Sequence, residues 1–575
     1  MNAVQERNSI DNANVGLRLS FQAAKAPDQL AIATPIGSHR QGAQRAYTTI
    51  SMADLDRRSS VIAAGLQSMG IGPGKRIALL VRFGEDFITL VFALLKSGAT
   101  LILIDPGMGR QHILTCLSEA RPDGFVGIPL AQAIVKAKRS LFPEARLNVT
   151  VGRRFGVLPS PTLNDLERRH QATDFRTPTT HMLDPAAVIF TTGSTGPPKG
   201  VLYTHQTFQA QIDMISTHYR IAPGRKDLSG FPLFGLFNAV MGTSTILPDM
   251  DPTRPASVIP KRLLDAIEQW GIDQSFGSPA LWTRVGEYCS ETGRRMESLR
   301  LVLSAGAPVP ARVLQQIRAA MHPDGMMFTP YGATEALPIA SIESREVLQE
   351  TRGKTEKGAG TCVGKRFAGI DWKVIAISDE PIATLAEARE LATGQIGELM
   401  VSGLPVTRAY VTRTDQNAIH KVEEQVGTLT TPKIWHRMGD VGYLDEQGRF
   451  WYCGRKGHRV TMPHRILFTE PIEAIVNSHP DVFRSALVPV GQSPNQRPCL
   501  IIEPWSARRS HIKGNQSRCE SQWRSMIRAA MPNVEIEHFL IYPRSLPTDI
   551  RHNAKIFREK LKPWAEQQLL SKTSP

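Results

Sequence analysis

The sequence predicts an α/β chain. A large N-terminal domain of helix-covered, mostly parallel sheets with a β-rich subregion precedes a small α+β C-terminal domain. Two observations carry this expectation. Up to about Thr180, apolar runs of strand length alternate with helical segments, the pattern of successive β-α-β units. After Gly394 the texture changes to short strands punctuated by turns, and a small basic segment, Gly454 to Thr461, closes that region. The boundary therefore falls at residues 454–457, with 1–453 as the large domain and 458–575 as the small one.

In chain order, Arg76 to Val81 (RIALLV) and Thr100 to Asp105 (TLILID) read as strands flanking a helix over Gly84 to Ala99. The apolar run of that helix, Phe87 to Leu95, is bounded by Asp86 and Lys96. It is too short to cross a bilayer and reads as buried. The alternation resumes at AAVIFTT, SLRLVLSAGAPV and MMFTPYGATE, each a strand followed by a glycine-bearing turn or loop. In open α/β sheets the carboxyl ends of the strands are where ligands bind. Beyond Gly394, GQIGELMVSG, RAYVT and GYLDEQGRFWYCGR read as short strands, with a hairpin turn at Asp445 to Gly448.

At 575 residues the chain exceeds what one core supports, and 41% hydrophobic with 21% charged residues is ordinary for a globular enzyme. The net charge is +15, and from Trp505 onward 13 Lys/Arg face 6 Asp/Glu. A solvated basic surface is the main reading of that excess. Anionic substrates, a membrane surface or acidic partner proteins are the others. Nucleic acid is not expected, because no nucleic-acid motif accompanies the charge. The six cysteines lie at spacings that suggest neither a disulfide framework nor a zinc site. No apolar segment follows a basic start at the N-terminus, so the cytoplasm is the expected compartment.

The stretch AVIFTTGSTGPPKGVLYTH, Ala187 to His205, is built to hold phosphate. Its glycines, Gly193 and Gly196, let the backbone approach a ligand closely. Thr191, Thr192, Ser194 and Thr195 add hydroxyls beside backbone N–H groups, a local anion nest, and Lys199 adds a point charge. It is not a Walker loop, which requires a Ser or Thr directly after the lysine. The string resembles the phosphate loop of the adenylate-forming superfamily: acyl-CoA synthetases, luciferases and the adenylation domains of peptide synthetases.

Five further segments resemble that superfamily, in the same order along the chain. SAGAPV (Ser304, Ala305, Gly306, Ala307, Pro308, Val309) matches the segment that shapes the adenine pocket. YGATE (Tyr331, Gly332, Ala333, Thr334, Glu335) matches an aromatic-Gly-x-Thr-Glu motif. There the resemblance implies Thr334 on the α-phosphate of ATP and Glu335 on Mg²⁺, a hard ion that takes carboxylate and phosphate oxygens. Asp440 matches the aspartate on the ribose hydroxyls, and Arg455 the arginine beside it at the start of an interdomain hinge, 454–457. Lys555 matches the C-terminal lysine that a mobile small domain swings in to stabilise the adenylation transition state. The implied reaction is attack of a carboxylate on the α-phosphate, giving an acyl-adenylate and pyrophosphate. Such chemistry asks for positioning and neutralisation of charge rather than for a protein nucleophile.

The acceptor is read from departures. Gly235 in FPLFGLFNAVMG stands where many CoA-using members carry histidine, and Gly457 stands where the hinge usually has Asp or Lys. Past the hinge, Thr461 and His464 replace the lysine and glycine of a loop that helps to line a pantetheine tunnel, while Glu473 fits its closing glutamate. With SFGSPALW and YGATEALPIASI, these features resemble the β-lactone synthetases of bacterial long-chain olefin biosynthesis. That resemblance implies a long-chain 2-alkyl-3-hydroxy acid whose own hydroxyl closes the ring, and assembly with a hydrolase-like decarboxylase and a reductase. A long-chain acyl-CoA synthetase or acyl-AMP ligase is the alternative. Phe234, Gly235, Phe237, Phe276 and Leu337 are the candidate lining for the alkyl chains, although core packing accounts for each equally well. His205 and His464 are weaker candidates for a general base.

Overall fold

The computed structural model describes residues 12–37, 44–153, 160–171, 174–191, 196–230, 232–427, 432–549 and 555–573. Two sheets form the larger part. One has six strands in the order Leu147–Thr150, Gly124–Gly127, Arg76–Leu80, Thr100–Leu103, Pro185–Phe190, Gly200–Thr204. All its pairings are parallel except the last. Its central strands are apolar on both faces, as a sheet covered on both sides requires. The helix Glu85–Ser97 begins with Glu85 and Asp86, the favourable charge for that end. It ends on Gly98 at φ +84, the left-handed cap that glycine adopts without strain. Every residue from Phe87 to Leu95 is buried, as expected from its sequence, and burial extends to Lys96, whose Nζ pairs with Asp56 Oδ1, and to Ser97.

The second sheet has fourteen strands. From Leu30–Pro35 through Ser244–Ile246, Lys226–Ser229, Gln274–Gly277 and Leu301–Ser304 to Met326–Ala333, neighbours run parallel. Beyond Met326–Ala333 neighbours run antiparallel, through Ala336–Glu343, Thr361–Arg366, Arg449–Arg455, Lys433–Leu444, Gly397–Ser402 and Asp371–Ile375. The α/β class read from the sequence is thus the observed one, with its β-rich subregion continuous with the parallel part. The expected hairpin joins Lys433–Leu444 to Arg449–Arg455, with Asp445 Oδ1 accepting from the backbone N–H groups of Gln447 and Arg449. RAYVT is a correction: it forms no strand, and only Tyr410 makes an isolated bridge, to Val201. The Tyr410 N–H and carbonyl are taken instead by the side chain of Asn417, at 2.8 and 3.1 Å.

Past the turn Lys456–His458, a hairpin (Val460–Met462, Arg465–Leu467) leads to a three-stranded sheet of Val482–Val490, Arg497–Pro504 and His538–Ile541. Side chains alternate across it. Leu487, Leu500 and Ile502 pack with Ile472, Trp523 and Ile527 on one face; Ala486, Val488 and Ile501 pack with Leu561 and Ala565 on the other. Among the described residues no helix is long and apolar enough to cross a membrane, and all six cysteines are buried and outside any disulfide.

Where this sheet's helices meet the large sheet, Glu470 Oε2 accepts from Thr361 Oγ1 at 3.1 Å and Arg558 grips both oxygens of Glu473 at 2.6 and 2.7 Å. Burial, with the neighbouring Glu473 charge, pushes the Glu470 carboxyl up to about 7 from 4.5, against the pull of Arg558 and Thr361. Across that window the folded chain binds a proton that the unfolded chain has lost, so stability falls as pH rises through it. Glu470→Gln should therefore raise Tm more at about pH 8 than at about pH 4. Equal shifts in thermal melts at the two pH values would refute the raised carboxyl.

Candidate active site

The parallel and antiparallel parts of the large sheet meet at the turn Thr334–Glu335, between Met326–Ala333 and Ala336–Glu343. Gly332 is required there, since a Cβ would lie 2.9 Å from Ala336 O. Two other segments hold the turn. The Tyr203 hydroxyl, from the six-stranded sheet, donates to Thr334 O at 2.6 Å. Thr407 donates through both N and Oγ1 to Glu335 O at 2.9 Å. The Tyr410 hydroxyl donates to Glu335 Oε1 at 2.7 Å, in a buried contact.

Cations pack around that tyrosine. Lys199 Nζ lies 4.8 Å from the Tyr410 ring centre and Lys421 Nζ 5.4 Å, and Lys421 also donates to Thr407 O at 2.6 Å. Burial lowers the Lys421 ammonium to about 7, opposed by Glu335. Burial and Lys199 take His420 down to about 3, so the ring is neutral. With Nδ1 facing Arg437 O at 3.3 Å, its Nε2 is left to accept from Lys199 at 3.2 Å. Thr191 Oγ1 accepts from the Lys199 N–H at 3.1 Å, closing the base of the glycine-rich loop.

Asp440 sits on Lys433–Leu444 opposite Arg455. Its Oδ1 accepts from Arg455 Nη1 at 2.7 Å and its Oδ2 from the Tyr331 hydroxyl at 2.5 Å. Lys555 arrives from the C-terminal part, its backbone N–H donating to Asp549 Oδ1 at 3.0 Å. Burial and the Arg455 charge lower its pKa, while Asp549, Asp440 and Glu335 raise it. The ammonium thus lies in the field of the Asp440 and Glu335 carboxylates.

Lys199, Tyr203, Tyr331, Glu335, Asp440, Arg455 and Lys555 line one cavity of about 850 Å³, with Thr407, Tyr410, His420 and Lys421 behind its wall. Its polar end carries Lys199, Ala305 to Pro308, Tyr331 to Glu335, Asp440, Arg455 and Lys555. Its apolar arm runs between helices and both sheets, past Val91, Phe92, Leu95, Leu101, Ile212 and Phe237. Thr191, Gly196, Phe276 and Leu337 also line it. Ser304 lies beneath, ending its strand, with its buried Oγ unpartnered. Gly235 packs away from the cavity, where a Cβ would meet Ser229 Oγ at 3.0 Å and Phe83 at 3.2 Å. Thr192, Gly193, Ser194, Thr195 and the Phe234 side chain lie outside the described residues. His205 is structural: it is buried, and its Nδ1 accepts from Val15 N–H at 3.1 Å. His464 is exposed in the turn between Val460–Met462 and Arg465–Leu467. Sequence reasoning missed Tyr203, Thr407, Tyr410 and Lys421, whose roles come only from three-dimensional packing. It also missed the cavity stripe on the helix His205–His218, which is legible at helical spacing.

The sequence matches the AMP-binding enzyme family over residues 19–411. It is 43% identical over 557 residues to the olefin beta-lactone synthetase of Stenotrophomonas maltophilia (strain K279a), covering 97% of this chain and 98% of that protein. Identity to the olefin beta-lactone synthetase of Xanthomonas campestris pv. campestris is also 43%, over 560 residues, covering 96% and 98%. The crystal structure of ATP-bound MatB from Rhodopseudomonas palustris shares the fold, with a TM-score of 0.74 at 19% identity over 97% of this chain and 99% of that one. The chain belongs to the AMP-binding enzyme family, and over nearly its whole length it is similar to olefin beta-lactone synthetases.

Proposed function

We propose that the chain is an ATP-dependent, AMP-forming ligase that makes a β-lactone. It activates the carboxylate of a long-chain 2-alkyl-3-hydroxyalkanoic acid and closes a cis-3,4-dialkyl-β-lactone with the acid's own hydroxyl. One observation supports this most: a single cavity joins the polar groups around Thr334, Glu335, Asp440 and Lys555 to an apolar arm between the helices. The likeness to olefin beta-lactone synthetases favours lactone closure over transfer to CoA.

On this reading the glycine-rich loop, Thr191 to Gly196 with Lys199, cradles the phosphates that leave as pyrophosphate. Ala305 to Pro308 and Tyr331 flank the adenine. Asp440, oriented by Tyr331 and Arg455, accepts from the ribose hydroxyls. The donor chemistry suits Mg²⁺: Glu335 offers a hard carboxylate oxygen, and the ATP phosphates offer others. Bound there, the ion would neutralise charge on the phosphates. Thr334 and the Lys555 ammonium face the α-phosphate and stabilise the charge that develops there. Attack of a carboxylate oxygen on the α-phosphorus breaks its bond to the β-phosphate bridge, and pyrophosphate departs. The 3-hydroxyl oxygen then attacks the acyl carbon. The bond to AMP breaks, and the hydroxyl proton is taken up by the phosphate of the departing AMP. An internal nucleophile carries an effective molarity of up to about 10⁵–10⁸ M, which offsets part of the ring strain. Lys555 reaches the cavity from beyond residues 454–457, which we read as the hinge between domains 1–453 and 458–575.

With ATP, Mg²⁺ and a 2-alkyl-3-hydroxy acid, β-lactone and AMP should form at equal rates with and without CoA. A thioester that appears only with CoA would overturn the reading in favour of an acyl-CoA synthetase. Lys555→Ala should cut substrate-dependent AMP formation by about 10²-fold or more while calorimetry still detects ATP binding. Turnover near the wild-type rate would remove Lys555 from its role. Tyr410→Phe frees one oxygen of Glu335 and should lower kcat roughly tenfold, with a higher Mg²⁺ requirement read from a titration of rate against metal. An unchanged Mg²⁺ dependence would show that the hydroxyl does not orient that carboxylate.

A further inference from the structure

The helix His205–His218 and the residue after its end present a stripe to the cavity: Phe208, Gln211, Ile212, Ile215 and Tyr219. Those positions share one face at helical spacing, and Gln211 alone carries a carboxamide among apolar and aromatic neighbours. Its side chain is 1% exposed. Its amide nitrogen has no hydrogen-bond partner of acceptable geometry, although the Tyr203 hydroxyl lies beside it. That hydroxyl donates its own proton to Thr334 O, so towards the amide it can act only as an acceptor, for at most one of the two amide protons. A buried amide left unpaired is unfavourable, and one on a cavity wall points to a ligand group that completes it.

We infer that the Gln211 carboxamide binds the 3-hydroxyl of the acyl substrate and makes that hydroxyl a condition of activation; the inference rests on the lactone reading above. The chemistry is matched. A hydroxyl both donates and accepts, as does a carboxamide, and the apolar surroundings suit a neutral group rather than a charge. The location is matched too. Through Tyr203, Gln211 is one side chain removed from the turn at which the carboxylate is activated. The 3-hydroxyl lies only two carbons from that carboxylate. A hydroxyl held there is oriented before the adenylate forms, so the nucleophile of the second step is selected in the first. An acid without the hydroxyl leaves the buried amide unpaired and is discriminated against.

The test compares pyrophosphate release and lactone formation for a 2-alkyl-3-hydroxy acid and its 3-deoxy analogue. The proteins compared are the wild type, Gln211→Met and Gln211→Leu. The wild type should favour the hydroxy acid by about 10- to 100-fold in kcat/KM. In both variants the preference should shrink to within about threefold, chiefly because the deoxy acid improves, with AMP affinity by calorimetry unchanged. The two variants differ in shape, so either one that retains AMP binding suffices. A variant that keeps the wild-type preference overturns the assignment to Gln211 and leaves the lactone reading intact. A wild type that accepts both acids equally also overturns it. A wild type that activates the hydroxy acid but forms no lactone overturns the underlying reading, and the inference with it.

Discussion

The hydrogen bonds that immobilise the turn Thr334–Glu335 are the constraint on which the rest of the molecule depends. The carbonyls of two consecutive residues and one carboxylate oxygen are held by Tyr203 from one part of the chain and by Thr407 and Tyr410 from another. Tyr203 belongs to the six-stranded sheet, while the turn belongs to the fourteen-stranded one. The Tyr203 bond therefore ties the two sheets together at this turn. Inside the protein, such bonds are stronger than in water because no solvent competes for the donors. Lys421, buried beneath Thr407, extends the support to a second layer.

The turn also explains the cavity's division of labour. On one side the sheet is parallel and its strands end in glycine-bearing turns whose backbone faces the polar end. On the other side it is antiparallel, and long paired strands present Asp440 and Arg455 in fixed register. Ligands gather where a sheet changes its connection pattern because the loops diverge there and leave a crevice. Here the change is one of strand direction, and the helices beside it supply the apolar arm.

The βαβ alternation and the motifs were legible in the sequence because each is local. The buried helix over Phe87 to Leu95 follows from its run of apolar residues, and the hairpin at Asp445 to Gly448 from its turn chemistry. RAYVT misleads for a definable reason. Its pattern suits a strand, and on one edge Ala409 and Val411 do bond to Gly200–Thr204, but on the other edge the Asn417 side chain takes the Tyr410 backbone groups that a second strand would pair. Gly235 misleads differently: it marks a close approach to Ser229 and Phe83, where absence of a side chain serves packing. Tyr203, Tyr410 and Thr407 carry no local signature, since their roles arise only once distant segments meet.

Gly454 bears on all of this from the far side of the sheet. Its φ is +133 and a Cβ there would come within 2.4 Å of Thr469 Oγ1. The chain thus leaves the large sheet through a gap one backbone wide, directly under the start of the helix Thr469–Asn477. The joint has the character of a bearing with no clearance. A side chain at 454 would press on Thr469 at the start of that helix without touching a reacting group. Loss of activity from such a change would be a fault of alignment rather than of chemistry.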